Sequence, residues 1–362
     1  MPVTQEAISA AIASVIDPYL GVDLVSASAV KSINVDGQNV QVEIELGFPV
    51  ERYGAELQEL LKAPIDALGE SIAVTFDIRA KIAAHSVQHG VKRLPEVRNI
   101  IAVASGKGGV GKSTTATNLA LALRDEGANV AILDADIYGP SQPRMLGAQG
   151  KPASRDGKSM EPIVSYGIQS MSIGNLIEED TPMIWRGPMV TGALEQLLND
   201  TNWTDVDYLI IDLPPGTGDI QLTLCQKIPV SGALIVTTPQ DIALLDARKA
   251  LKMFEKVDVP VLGIIENMSV HVCTSCGHED HIFGAGGGES MAQQYGVDLL
   301  GALPLDREIR EGMDTGKPTV ALQPHSRSSE MYREIARRVA AKLAVRAKDY
   351  SAKFPNIVVQ NT

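Results

Sequence analysis

One glycine-rich segment, residues 106–113, restricts the possible folds of this chain more than any other feature. It contains the pattern Gly-x-x-x-x-Gly-Lys-Ser, directly after an apolar run at residues 100–104 and directly before a helical pattern at residues 115–124. This order of strand, loop and helix is typical of a phosphate-binding loop, in which backbone N–H groups and a helix N-terminus face phosphate oxygens. The segment therefore predicts a nucleotide site.

All residues of this loop are predicted to take part in nucleotide binding. Lys112 supplies a full positive charge for the phosphates, and Ser113 is placed to offer its hydroxyl to Mg²⁺. The other predicted contacts come from neighbouring positions of the loop: Gly106, Lys107, Gly108, Gly109, Val110, Gly111 and Thr114. Lys107 is unusual, because Lys112 already serves this site. A second lysine at the start of the loop is better explained by contact with a second nucleotide than by contact with the nucleotide that this loop binds.

Two further predicted strands end in aspartates. Asp212 follows the apolar run at residues 209–211, and we predict that it is the second Mg²⁺ anchor. Asp134 and Asp136 follow another apolar run. We prefer Asp136 as the residue that orients the attacking water, because it lies further beyond the strand end, where a γ-phosphate can be reached. The predicted catalytic residues are Lys107, Lys112 and Asp136.

The hydrophobic pattern divides the chain into four parts. Residues 1–83 mix helical and strand patterns and predict a small α+β domain, and the polar residues 84–97 predict a linker. Residues 98–348 alternate Val- and Ile-rich strands with helices, which predicts a doubly wound, mostly parallel α/β sheet with ligands at the carboxyl ends of its strands. Residues 349–362 are predicted to be a tail. The predicted strands of the sheet are residues 100–104, 130–134, 209–212, 233–237, 261–266 and 299–303, and residues 140–190 are predicted to be mostly long loops with one or two short strands.

Charge and hydropathy argue against several classes of function. The net charge is −12 and the pI about 5.0, so there is no electrostatic case for binding nucleic acid. No run of about 18 apolar residues is present, and the first residues lack the pattern of a signal peptide, so we expect a cytoplasmic protein. A basic amphipathic pattern at residues 328–348 has the composition of a helix that lies on a membrane. Its narrow apolar stripe predicts instead a terminal helix packed on the domain.

Three cysteines are too few for a disulfide framework. Cys225 lies on an apolar helical face and is predicted to be buried. Cys273 and Cys276 are spaced to grip one metal centre, but a zinc site or a four-iron cluster needs four protein ligands. Either nearby histidines complete a zinc site, or two copies of the chain supply two thiolates each. A thioredoxin-like role is disfavoured, because no helix is predicted to start at Cys276 and nothing is expected to lower the pKa of the first thiol.

The order of four segments resembles one known family. They are the loop at 106–113, Asp-Ala-Asp-Ile-Tyr-Gly-Pro-Ser at 134–141, Asp-Leu-Pro-Pro-Gly-Thr-Gly-Asp at 212–219, and Glu-Asn-Met-Ser at 266–269 ahead of the cysteine pair. This order is similar to that of the Mrp/ApbC iron–sulfur carrier ATPases, which belong to the deviant Walker A group with MinD and ParA. The resemblance covers residues 98 to about 320. Residues 1 to about 85, with Asp-Pro-Tyr-Leu-Gly at 17–21, resemble a small domain related to iron–sulfur assembly factors.

The resemblance implies an ATPase that uses ATP and Mg²⁺ and carries an iron–sulfur cluster. Lys107 would reach across a homodimer to the ATP of the partner. Cys273 and Cys276 would bind a [4Fe–4S] cluster shared by two chains, and Asn267 and residues 304–306 would flank the adenine. The implied partners are apo iron–sulfur proteins and an upstream assembly scaffold, with neither nucleic acid nor a membrane.

A second function stays open on the sequence alone. A MinD- or ParA-like ATPase that positions partners on a membrane or nucleoid would share Lys107, and a basic terminal helix such as residues 328–348 would suit it. The acidic pI and the cysteine pair favour the carrier.

Overall fold

Three sheets organise the parts of the chain that the computed structural model describes, which are residues 3–69, 72–177 and 187–346. They are a three-stranded sheet near the N-terminus, an eight-stranded sheet, and a two-stranded hairpin. The predicted tail at residues 349–362 lies outside the described residues.

The N-terminal sheet carries two helices on one face. Its elements are α1 (Gln5–Ala13), β1 (Val30–Asp36), β2 (Asn39–Leu46), α2 (Tyr53–Asp66) and β3 (Ala73–Ala80). β2 pairs antiparallel with β1 and parallel with β3. Every second residue of β2, from Val40 to Leu46, is buried, and the Ile8 and Leu57 side chains of the two helices join the same core. The alternation seen in the sequence therefore becomes the inner face of this sheet.

The eight-stranded sheet forms most of the remaining chain. Its strands and the elements between them are β4 (Val97–Ala104), α3 (Lys112–Asp125), β5 (Val130–Asp134), α4 (Gln142–Met145), β6 (Ile163–Ser165), β7 (Ile168–Ser172), α5 (Gly187–Asn199), β8 (Val206–Asp212), α6 (Asp219–Lys227), β9 (Gly232–Thr237), α7 (Asp241–Lys256), β10 (Val261–Glu266), β11 (His271–Val272), β12 (Glu279–Asp280), α8 (Gly287–Tyr295), β13 (Leu299–Ala302), α9 (Arg307–Asp314), α10 (Thr319–Leu322) and α11 (Arg327–Ala344). β11 and β12 make the separate hairpin.

The strand order of the large sheet is β13-β10-β9-β4-β8-β5-β7-β6. All its pairs are parallel except β6 with β7. Helices cover both faces: Ile101 and Val103 of β4 point into a core with α3 and α11, whereas Ile100 and Ala102 point into a second core with α5 and α7. The predicted doubly wound, mostly parallel sheet is confirmed.

The strand order places three predicted site segments side by side. β8 lies between β4 and β5, and Asp212 is in register with Val103 on one side and with Asp134 on the other. Because all three strands are parallel, the segments that follow them leave the sheet at the same edge. The phosphate loop and the two acidic strand ends therefore meet.

The N-terminal sheet is fastened to the end of α3 through Glu126, which directly follows that helix. Glu126 is 1% exposed, and its Oε2 accepts hydrogen bonds from the backbone N–H groups of Arg52 (3.3 Å) and Tyr53 (3.1 Å). Arg337 of α11 donates from Nε to Glu126 Oε1 at 2.8 Å and also to Glu56 of α2. Burial raises the pKa of Glu126, although the Arg337 guanidinium opposes this rise.

Residues 84–97, the predicted linker, lie against the large sheet. The Gln88 side chain donates to the Cys225 carbonyl oxygen (2.7 Å) and accepts from the Val230 N–H (3.0 Å), and the His85 N–H donates to Asn99 Oδ1 (3.1 Å). These bonds fix the path of the segment. The division at residues 83 and 98 stays a prediction.

The terminal helix α11 packs inside the protein. Ile335, Val339 and Leu343, three members of its apolar stripe, are buried in the core shared with α3. Tyr332 is buried beside them. No helix within the described ranges has both the length and the apolar character that crossing a bilayer requires. The basic helix that suggested membrane association thus has its apolar face covered by the protein itself.

Candidate functional site

The phosphate loop has the shape that its glycines predict. Gly109 and Gly111 have φ values of 80° and 83°, in the left-handed region that favours glycine. A Cβ on Gly106 would lie 2.1 Å from the carbonyl carbon of Asp246 in α7, and a Cβ on Gly111 would lie 2.1 Å from Asn267 Nδ2. The left-handed backbone conformation requires glycine at position 109, and close packing requires it at position 106. At position 111 both constraints apply.

Asn267 holds this loop in place through a side-chain hydrogen bond. Its Nδ2 donates to the Val110 carbonyl oxygen at 2.9 Å, and its side chain is 7% exposed. Its backbone N–H donates to the Thr237 carbonyl oxygen at 2.7 Å, which ties the end of β10 to the end of β9. The predicted contact of Asn267 with the adenine stays a prediction. In this structure the Asn267 side chain is hydrogen-bonded to the loop instead.

The predicted Mg²⁺ anchors lie on either side of Lys112. Lys112 Nζ contacts Ser113 Oγ at 3.1 Å and is paired with Asp212 Oδ1. Asp212 is fully buried, and Lys112 is 6% exposed. A hydroxyl and a carboxylate are the hard oxygen ligands that Mg²⁺ takes in proteins, so this donor set fits the ion. Lys112 is the lysine of the loop motif, which binds phosphates in such loops, and here its ammonium pairs with Asp212.

Asp134 and Asp136 have different environments. The Asp134 carboxylate is fully buried and accepts bonds from the backbone N–H groups of Ser141 (2.9 Å) and Gln142 (3.0 Å). Burial, followed by the Asp212 charge, raises the pKa of Asp134 to about 7. Asp136 is half-buried, and burial raises its pKa as well, while Lys112 opposes this. Asp134 therefore organises the turn after β5, and the less enclosed Asp136 is the better candidate to meet a water.

Gln142 belongs to this site, although the sequence did not single it out. Its side chain is 1% exposed and lies between the start of α3 and the end of β8, where it contacts Ser113 and Asp212. It follows directly on residues 134–141, one of the segments that carry the family resemblance. The sequence signal that could have identified Gln142 was its position as a polar residue at the end of such a segment.

Lys107 lies at the start of the loop with its side chain half-buried. Ser105 Oγ donates to the Lys107 carbonyl oxygen at 2.9 Å, which fixes the backbone there. Within the described residues, no carboxylate forms an ion pair with its ammonium. The adjacent α7 exposes Ile242 (66%) and Leu245 (50%), so large apolar side chains reach solvent on the helix that packs against Gly106.

The cysteine pair lies at the tip of the β11–β12 hairpin. The Cys273 N–H donates to the His278 carbonyl oxygen (2.9 Å), and the Gly277 N–H donates to the Cys273 carbonyl oxygen (2.8 Å). Cys276 is exposed and Cys273 is partly exposed. The N–H of Ser275, and then that of Cys276, lower the pKa of Cys273. The prediction that nothing lowers this pKa was wrong, because the N–H groups of a tight turn do so without a helix.

Two histidines anchor the hairpin to the domain. His271 Nδ1 lies 3.1 Å from the Leu305 carbonyl oxygen, and His281 Nδ1 lies 2.7 Å from the Ser269 carbonyl oxygen. Both Nδ1 atoms must donate, because a carbonyl oxygen only accepts. A cavity of about 300 Å³ separates Cys273 from residues 304–308. The hairpin therefore borders the segment that is predicted to flank the adenine.

The ligand count of the cysteine site is incomplete within one chain. Across the described ranges, no three His, Cys, Asp or Glu side chains are grouped so that they could hold a metal ion. The alternative in which histidines of the same chain complete a zinc site thus has no support in this geometry. Cys225 is 1% exposed, and burial raises its pKa to about 12, so the prediction that it belongs to the core is confirmed.

Comparison with known proteins identifies the family. The family model described as NUBPL iron-transfer P-loop NTPase matches residues 96–340. The chain belongs to this family. A second model, described as iron-sulfur cluster assembly protein, matches residues 5–76 ahead of the NUBPL-type region. The resemblance carried by the four segments is confirmed, and so is the separate resemblance of the N-terminal part to iron–sulfur assembly factors.

Curated relatives of this NUBPL-type chain have related names. The iron-sulfur cluster carrier protein of Escherichia coli K12 is 51% identical over 327 residues, which cover 90% of this chain and 89% of that protein. A carrier protein of the same name from Pseudomonas fragi is 58% identical over 76% of this chain and 97% of its own length. The mouse iron-sulfur cluster transfer protein NUBPL is 52% identical over 70% of this chain and 80% of its own length.

Solved structures show the fold of the NUBPL-type region. A nucleotide-binding protein from Archaeoglobus fulgidus, in complex with ADP, is 36% identical with a TM-score of 0.57, covering 66% of this chain and 93% of that one. The cell division ATPase MinD from Pyrococcus furiosus is 24% identical with a TM-score of 0.51, covering 67% of this chain and 98% of that one. The MinD likeness concerns the fold alone.

Proposed function

We propose that the protein is an ATP-binding and ATP-hydrolysing homodimer that holds an iron–sulfur cluster between its subunits and transfers it to apoproteins. One observation carries the proposal: an accessible hairpin with two thiols stands at the same edge of the sheet as the phosphate loop. The hairpin follows β10 directly, and Asn267 at the end of β10 braces the loop. Further support comes from the relatives named as cluster carrier and cluster transfer proteins.

The cysteine pair suits a cluster that arrives and leaves as cargo. Cys273 and Cys276 supply two thiolates, and a second copy of the chain supplies the other two that a [4Fe–4S] cluster needs. The lowered pKa of Cys273 favours the thiolate that binds iron. Because each chain holds only half of the ligands, separation of the two subunits would release the cluster. An upstream assembly scaffold would load it, and apo iron–sulfur proteins would receive it.

The nucleotide site would bind ATP together with Mg²⁺. Ser113 and Asp212 are the proposed ligands of the ion, which supplies charge stabilisation at the phosphates when it is bound. Lys112 would exchange its pairing with Asp212 for the β- and γ-phosphates. Asp136 would hold the attacking water, and Lys107 of a second chain would balance the charge that develops on the γ-phosphate.

The dimer proposal rests on the surface around the start of the loop. Lys107 has an ammonium without a carboxylate partner among the described residues, and α7 exposes Ile242 and Leu245 on the helix that packs against the loop. Large apolar side chains exposed close together on one helix are a feature of surfaces that bind another protein. A second copy would cover the apolar side chains and bring a phosphate to the cation.

Replacing Lys107 by alanine is expected to leave nucleotide affinity unchanged and to reduce ATP hydrolysis by about 10³-fold, the order of magnitude for a cation supplied in trans. A mixture of K107A with K112A chains provides the control. The K107A chain binds ATP and the K112A chain donates an intact Lys107, so part of the activity should return in steady-state phosphate release. No recovery in the mixture would mean that Lys107 acts on the ATP of its own chain.

Metal analysis of the protein purified without oxygen tests the carrier function directly. We expect about four iron and four sulfide per two chains, in a particle with the mass of a dimer by light scattering. One zinc per chain in a monomer would contradict the proposal and would indicate a zinc site within one chain.

A further inference from the structure

Gln142 contacts both proposed Mg²⁺ ligands and is one of the most enclosed polar side chains at this edge of the sheet. Its Nε2 donates to Asp212 Oδ2 at 2.9 Å and to the Ser113 carbonyl oxygen at 3.2 Å. It is 1% exposed and has no part in the roles proposed above.

The neighbours of Gln142 fix the orientation of its amide. Asp212 Oδ2 and the Ser113 carbonyl oxygen only accept hydrogen bonds, so the NH₂ group must face them. The amide oxygen then faces the Thr117 hydroxyl at 2.7 Å, whose single proton is within reach of both this oxygen and the Ser113 carbonyl oxygen at 2.9 Å. A flipped amide would place its oxygen against a carboxylate. Only one orientation of the amide therefore allows both N–H donors and the oxygen of Gln142 to form hydrogen bonds.

This arrangement gives the two Asp212 oxygens separate partners. Oδ1 pairs with Lys112, and Oδ2 accepts from Gln142. Lys112 is the group that the phosphates would compete for, whereas Gln142 carries no charge and would keep its bond. The carboxylate would then stay in one rotamer, with Oδ1 turned toward the loop.

We infer that Gln142 is a positioning residue for the magnesium site, because it sets the direction of the Asp212 carboxylate and braces the backbone that carries the Ser113 hydroxyl. The inference rests on the proposed roles of Asp212 and Ser113. A residue that orients two ligands of the ion, and reaches no part of the nucleotide, changes the affinity for Mg²⁺ without changing the affinity for the nucleotide itself. A purely structural role would instead weaken both together.

The test is a titration of free Mg²⁺ against the affinity for a fluorescent ADP analogue, with EDTA as the zero point. Q142L has nearly the same volume and lacks the donors. We expect unchanged affinity in EDTA and a half-maximal Mg²⁺ concentration that is raised about tenfold to hundredfold, the range for losing one hydrogen bond to a charged group. Equal losses of affinity with and without Mg²⁺ would overturn the inference.

Two further variants separate positioning from folding. Gln221 is also buried and donates to the Pro215 carbonyl oxygen at 2.6 Å, in the loop after Asp212, but contacts neither proposed ligand. Q221L should therefore leave the Mg²⁺ dependence unchanged. Q142M keeps an unbranched side chain of similar length without donors and should shift the Mg²⁺ dependence in the same direction, which keeps the test available if Q142L does not fold.

D212N distinguishes a failure of this inference from a failure of the proposed magnesium site on which it rests. If D212N leaves the Mg²⁺ dependence unchanged, the proposed magnesium site is wrong. If D212N changes it while Q142L and Q142M do not, the site stands and only the role of Gln142 fails.

Discussion

Purified anaerobically, a variant with both Cys273 and Cys276 changed to alanine is expected to contain no cluster iron and to lose the visible absorbance of the cluster. No other thiol of the chain can take their place, because Cys225 is 1% exposed and lies in the core of the large sheet. Affinity for ATP should stay unchanged, since neither cysteine touches the phosphate loop. Iron and sulfide analysis, the visible spectrum and nucleotide titration measure these outcomes.

C225A is the matched control for this double variant. It removes one thiol from the chain but leaves the hairpin intact, so its iron and sulfide content should equal that of the unchanged protein. A double variant that still reconstitutes a cluster with normal absorbance would refute the carrier proposal. Loss of ATP affinity in the double variant would show instead that the hairpin is part of the nucleotide site.

Changing Arg337 to methionine is expected to lower the free energy of unfolding by about 3–5 kcal/mol, the cost of leaving one partner of a buried ion pair uncompensated. Glu126 is 1% exposed, and Arg337 provides the guanidinium that faces its Oε1. The same guanidinium lies 5.3 Å from the Tyr53 ring centroid and 5.8 Å from that of Tyr19, so the variant loses cation–π contacts as well. Urea denaturation followed by circular dichroism measures the loss.

Arg338, the next residue of α11, offers the control. Its ion pair with Glu334 is exposed, at 41% and 52%, and its guanidinium also donates to the Leu300 carbonyl oxygen at 2.9 Å, so R338M should cost about 1–2 kcal/mol, less than R337M. The double variant R337M/E126Q removes both charges and should recover part of the loss. A cost for R337M as small as that of R338M would show that Glu126 tolerates burial without its partner.

The fold and the phosphate loop could be predicted because local patterns determine them. Strands rich in Val and Ile that alternate with helices indicate a parallel sheet, and the glycines of the loop follow from a backbone conformation that the motif itself requires. The cysteine spacing likewise indicated that the two thiols lie together, as they do at the tip of the β11–β12 hairpin. These features depend on residues that are close together in the sequence.

The contacts that hold the site together could not be predicted in this way. Gln142 meets Asp212 across 70 positions of sequence, and Arg337 meets Glu126 across 211. The lowered pKa of Cys273 depends on the direction of N–H groups in a turn, which residue types alone do not specify. Such contacts follow from strand order and helix packing, so they emerge only once the fold is built.

The packing of Gly106 against α7 affects how related sequences should be compared. Asp246 fills the space that a side chain at position 106 would need, so a descendant that no longer hydrolysed ATP would still keep glycine there. A glycine at this position therefore reports an intact helix contact and says nothing about catalysis. Lys107 and Ser113 are instead residues proposed to act in the nucleotide chemistry. Their loss while Gly106 persists would be the signature of a chain that has kept the architecture and abandoned the chemistry.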